Sequence, residues 1–242
     1  ALWALRLPEP PRAARAAAAR SPWRRLLLDT PTLPWLCAAG VLHTLLMQVL
    51  ALFLSPYFIR VHGLDVRSAG LWSMVCFGLS GVPGLLLGGG VGDVAARRWA
   101  AGKLAVGAAS SLLVAPLLFL ALQAPPGQVW TMALTLAPAC GLLYVYYSTV
   151  YAALQDAAPP DLRATAMAVY LCAMYLLGAA LGPLLAGMLS DHFARAAQVA
   201  AGGSGSLEPF RAAGLRGALS LLPAAALALA GVLYGAARRR AA

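Results

Sequence analysis

Polar residues interrupt this chain rarely, and they come in clusters. Thr30–Ile59 contains no Asp, Glu, Lys or Arg, and neither does Ser68–Gly92, Ala164–Leu189 or Gly217–Ala237. The charge-free run from Leu104 to Gln155 is far too long for one helix, because about 20 apolar residues cross a bilayer. The two prolines and the glycine of QAPPGQ, at 123–128, divide it. The pattern therefore predicts six spanning helices: Thr30–Ile59, Ser68–Gly92, Leu104–Leu122, Val129–Gln155, Ala164–Leu189 and Gly217–Ala237. Asp161, which follows two prolines, is expected to cap the start of the fifth. The polar stretch Ser190–Arg216, with the flexible GGSGS at 202–206, reads as a long loop before the sixth.

The exit of the second span organises the rest. In Gly81–Lys103, Gly84, Gly88 and Gly92 recur every four residues, so on a helix they share one bare face. Such a face lets another helix backbone approach closely in lipid. Asp93, Arg97, Arg98 and Lys103 then mark where the helix leaves the hydrocarbon, and 93–103 reads as the loop that follows. The exit of the fifth span matches it: Gly84, Gly89, Asp93, Ala96 and Arg97 align at one constant offset with Gly182, Gly187, Asp191, Ala194 and Arg195. The two copies leave the membrane on opposite sides. That is the signature of two inverted three-helix repeats. The expected organisation is a basic linker over 1–29, one repeat over 30–122, a second over 129–237, and a tail over 238–242.

Composition agrees with the pattern. The 242 residues are 61% hydrophobic and only 11% charged, against about 25% charged in soluble domains. The class is an all-α integral membrane protein. Its net charge of +10 could suggest nucleic acid, but the bases lie in short segments between apolar runs rather than on one solvated domain. Nucleic acid is therefore not an expected partner, and the lipid bilayer is. With six spans both termini share a side. Thirteen of the 18 Lys and Arg fall on that side, so both termini are expected in the cytoplasm. Heavy use of Ala, Leu, Arg and Gly suggests a GC-rich bacterial genome, hence a bacterial cytoplasmic (inner) membrane. Within the linker, Arg12–Leu28 reads either as a basic amphipathic helix on the membrane surface or as disordered chain. Ala1–Leu5 could be the tail of an earlier span. Cys37, Cys76, Cys140 and Cys172 sit apart inside apolar runs, so they read as small buried residues and no metal site is expected.

Polar side chains are costly in lipid and face a cavity or a partner helix. The first span carries His43, Thr44 and Gln48, and the fourth carries nine polar or tyrosine positions, whereas the third and sixth are nearly bare. Spans one and four are thus expected to line a watered path, with three and six towards lipid. On span four, Cys140, Tyr144, Tyr147, Ser148, Tyr151 and Gln155 recur at steps of three and four. This stripe is either a binding wall for a partly apolar solute or a seam between helices. His43 lies ten residues past Leu33, about 15 Å into the membrane. It could bind substrate, carry a coupling proton, or be structural. The expected cavity residues are His43, Thr44, Gln48, Tyr144, Tyr147, Ser148 and Tyr151. No cofactor is expected beyond a coupling proton or other cation.

Enzyme chemistry finds little support. H-E-x-x-H and G-x-S-x-G are absent. Gly90–Ala95 matches G-x-G-x-x-A formally, but it ends a spanning helix and has no strand before it.

The chain resembles the C-terminal half, spans seven to twelve, of a major facilitator superfamily transporter. GGGVGDVAARR at 88–98 is similar to that superfamily's loop motif between spans eight and nine. EPPR at Glu9–Arg12, PPDLRATAMAVY at 159–170 and LGAALGPLLAGMLSD at 177–191 resemble the spinster-like branch. The resemblance implies alternating-access transport of a small organic or amphipathic solute. It also implies an N-terminal six-span half as partner, with spans seven and ten lining the central cavity. Gly89, Asp93, Arg97 and Arg98 would then belong to a charge motif that gates the cytoplasmic side. A non-transporting receptor or scaffold, and an intramembrane enzyme, are the competing readings.

Overall fold

The computed structural model of the chain describes residues 30–203 and 205–241, so the expected linker over 1–29 lies outside the described residues. Among these, all regular structure is helical. Six helical spans are long and apolar enough to cross a membrane: Leu33–His62, Val66–Arg98, Gly102–Leu122, Val129–Ala157, Arg163–Ala200 and Glu208–Ala241. The predicted six-span bundle is thus the observed fold.

The helix boundaries follow local chemistry. Span one opens with proline in its first turn, where a missing N–H costs nothing. It closes at Gly63, whose φ of 71° is left-handed and lets its N–H bond Ile59 O at 3.1 Å. Two residues on, Asp65 accepts from the backbone N–H of Arg67 (3.0 Å) and Ser68 (3.2 Å) and so caps span two. Hydrogen bonding from Ser68 and Arg67 holds the Asp65 carboxyl below its usual range. Span five starts differently from expectation: its N-cap is Leu162, not Asp161.

Two expected loops, 93–103 and 190–216, are shorter than the charge pattern suggested. Span two stays helical to Arg98, so Asp93, Arg97 and Arg98 belong to its last turns and not to a loop. Span five likewise runs on to Ala200 through Asp191 and Arg195, and span six begins as a short helical turn at Glu208. A helix satisfies its own backbone, so it continues into water wherever alanine-rich sequence allows. Bases in the last turn also suit the carbonyl end of the dipole.

The packing repeats between triplets. Span two lies on span four, and span five lies on span one; span three packs on span four, and span six on span one. Spans three and six close the ring against each other. Exchanging the two triplets therefore maps the contacts onto themselves. Each middle span also carries one π-helical segment, Met74–Leu79 in span two and Met174–Ala179 in span five.

Glycine makes both cross-triplet seams. A Cβ on Gly84 or Gly88 would collide with Gly141 or Ser148 of span four. A Cβ on Gly178 would come within 2.7 Å of Val41 O in span one, and one on Gly182 within 3.1 Å of Leu45. Gly84 and Gly182 are thus equivalent in place as well as in sequence. Gly89 and Gly187 are equivalent too, but there an added Cβ meets nothing. Spans two and five are the least covered of the six, while one, three and four are the most buried.

Candidate functional site

His43 sits fully buried where spans one and four meet. Its Nε2 donates to the carbonyl of Leu143 at 3.0 Å. Since that nitrogen holds the proton, Nδ1 is left as an acceptor, and it has no hydrogen-bond partner. The ring stacks flat on Tyr146, with centroids 3.8 Å apart and planes at 8°, and meets Tyr147 edge-on at 4.9 Å.

Behind this pair lies a second link. Tyr146 and Tyr170 share a hydrogen bond of 2.8 Å between their hydroxyls, joining span four to span five. Both rings are buried to within a per cent of complete. Gly40, one turn before His43, makes room: a Cβ there would come 2.8 Å from the Tyr170 ring.

In front runs a row of half-exposed rings. Phe77 of span two meets Tyr144 at 5.8 Å, Tyr144 meets Tyr147 at 6.0 Å, and Tyr147 meets Tyr151 at 5.4 Å. Tyr151 then meets Tyr170 of span five at 5.5 Å. The Tyr151 hydroxyl also reaches the sulfur of Met174 at 3.6 Å, inside the π-helical segment of span five. π-Helical turns often occur at functional sites. The row therefore crosses the bundle from span two to span five at the mid-length of span four. Rings with polar tips suit a surface that is apolar across its width and wet at points.

The remaining expected residues divide. Gln48 is half-exposed. Thr44 is buried against Gly178 of span five, and its hydroxyl has no partner. Ser148 donates to Val145 O at 3.1 Å and lies in the seam with Gly88. Cys140, placed on the stripe by its spacing, is fully buried. Tyr146, Tyr170 and Gly40 were not among the expected site residues. Tyr146 points away from the stripe, and the Tyr146–Tyr170 contact joins two spans, which periodicity along one helix does not reveal.

At the end of span two, Gly89 is half-exposed, and Asp93, Arg97 and Arg98 are exposed. Asp93 and Arg97 stand at the spacing that favours a helical ion pair. Yet the only ion pairs among the described residues are Lys103–Asp156 at 2.7 Å and Arg211–Glu208 at 2.8 Å. No group of His, Cys, Asp and Glu suited to a metal occurs among the described residues.

Residues 1–183 match the family model of the Major Facilitator Superfamily. Over 142 residues, 59% of the chain, the sequence is 31% identical to an MFS-type efflux pump of Mycolicibacterium smegmatis and covers 32% of that protein. The fold is similar to a bacterial homologue of the human lysosomal transporter Spinster. Against its inward-facing, unoccupied crystal structure the TM-score is 0.74 at 21% identity, covering 98% of this chain and 55% of that one. Against the inward-facing, occupied structure it is 0.72 at 21% identity, covering 88% and 50%. The chain thus spans about half the length of these solved structures and a third of the efflux pump.

Proposed function

The chain belongs to the Major Facilitator Superfamily, a family of transporters rather than enzymes, and from that premise we propose that it forms one six-span half of a secondary active transporter. The half would supply one of two bundles that rock about a central site. Its solute is a small organic molecule with a substantial apolar part. The observation that carries this reading is the half-exposed row Tyr144, Tyr147 and Tyr151, which runs along span four between Phe77 of span two and Tyr170 of span five. A second bundle, supplied by an N-terminal half, would close that wall into a cavity.

His43 is the coupling group in this proposal. Its Nε2–H is fixed on Leu143 O, so only Nδ1 can take up a proton. The imidazolium so formed would lie flat against the face of Tyr146. Gly89, Asp93, Arg97 and Arg98 would meet the other half at the cytoplasmic end. The open space at Gly89 admits a close approach, and charges unspent within this bundle remain for an ion pair across it.

Both termini are assigned to the cytoplasm of a bacterial inner membrane, because the bases concentrate on that side. The test is uptake and efflux of a panel of amphipathic solutes by full-length protein in liposomes, with and without a pH gradient. Flux that follows the gradient supports the reading. Folded protein that moves none of the panel under either condition contradicts it.

A further inference from the structure

Spans three and six meet along a seam that stays open to the outside. At one end, next to Gln123, Arg216 and Ser220, it widens into a cavity of about 360 Å³ floored by Leu122 and Pro223. Further along, Ala108, Leu112, Leu227 and Gly231 line a second hollow of about 440 Å³. Leu112 and Leu122 are ten residues apart on one helix, so the two hollows are offset by about 15 Å along the same seam. Neither span three nor span six contributes to the tyrosine row, and Leu112, Phe119 and Leu227 are exposed on the outer surface. In a membrane protein such a surface faces acyl chains.

The wide end is cationic. Gln123 caps the end of span three. Span six is broken beside it, between a short helix ending at Leu219 and a second starting at Leu222, with Pro223 in the new first turn. That break opens the notch. Arg216 sits on its edge, donates to Ala124 O at 3.2 Å and also reaches the Tyr57 hydroxyl of span one, which leaves further donors of its fork for a ligand. No ion pair to Arg216 is found among the described residues, although a guanidinium carries five donors. Gln123 and Ala124 directly follow the end of span three at Leu122, so the notch sits at the end of that span.

We propose that this seam is a binding site for an anionic phospholipid, its phosphate on Arg216 and Gln123 and one acyl chain laid along the trough past Leu112 to Gly231. A guanidinium favours phosphate by charge and by paired donors. Ala105, Ala108, Ala109 and Ala230 line the trough between its leucines, and at Gly231 an added Cβ meets no neighbour. The site is separate from the tyrosine row and does not depend on the transport reading.

Native mass spectrometry of the full-length protein tests this with phosphatidylglycerol, phosphatidylcholine and inorganic phosphate as probes. Phosphatidylglycerol should remain bound, and phosphatidylcholine should not. Arg216→Gln should weaken retention about fivefold, and Arg216→Lys should recover most of it. Gly231→Trp fills open space without touching the cation, so it should also weaken retention while the unfolding temperature holds. Equal retention of both lipids would overturn the proposal. So would displacement of the lipid by equimolar phosphate, or weakening by Arg216→Gln alone, since either marks a site for a free anion.

Discussion

His43 and Leu143 join spans one and four through a single hydrogen bond, Nε2 to the backbone carbonyl at 3.0 Å, in a fully buried setting. This bond decides which nitrogen can act. It fixes the tautomer and the ring plane, and it aims the free Nδ1 away from Leu143. The two first members of the triplets are thereby tied to each other.

Replacing His43 with Ala should therefore change the pH dependence of transport by the full-length protein. Replacement with Gln keeps a donor for Leu143 but offers no titrating group, so it should preserve stability and still flatten the profile. Transport rates over a pH series check both. A wild-type profile in either variant would make His43 structural.

Gly84 and Gly89 make opposite predictions although they lie five residues apart. Gly84→Val must push span two off Gly141, which should cost about 1–3 kcal/mol and lower the unfolding temperature. Gly89→Val meets nothing within this bundle, so its unfolding temperature should match wild type. Because Gly89 is assigned to the contact with the other half, its transport rate should nonetheless fall.

Asp93→Asn should slow transport and leave substrate affinity largely intact, since Asp93 is far from the row and exposed. The pair of rates and binding constants is the readout. Unchanged rates would remove the gating role from Asp93, Arg97 and Arg98.

Tyr146→Phe breaks the buried bond to Tyr170 and should cost about 0.5–1.5 kcal/mol of stability. Tyr147→Ala, on the open side of the same helix, should weaken solute binding more than it weakens the fold. Thermal unfolding and solute binding, measured on both variants, separate the two layers.

Much of this was legible in the residues. Charge-free runs fixed the number of spans, because lipid tolerates few charges. Glycine at Gly84, Gly88 and Gly92 foretold a close seam, although nothing in the spacing named span four as the partner. The helix ends were less legible. Asp93–Arg98 and Asp191–Ala200 carry polar side chains, which mark the membrane surface and not the end of the backbone hydrogen bonding. The stripe at Tyr144, Tyr147 and Tyr151 showed as a helical period. Tyr146, Tyr170 and Gly40 did not, because their contact joins three spans and leaves no period along any one of them.

The central claim is that the face carrying Tyr147 lines a path opened to alternate sides of the membrane. Its most direct measurement is thiol labelling of Tyr147→Cys in full-length protein whose own cysteines have been replaced, using a membrane-impermeant reagent on sealed vesicles of both orientations. The account predicts labelling from one side, and a shift in its rate when a transported solute or a pH gradient is added. A thiol that reacts from neither side under any of these conditions would contradict it.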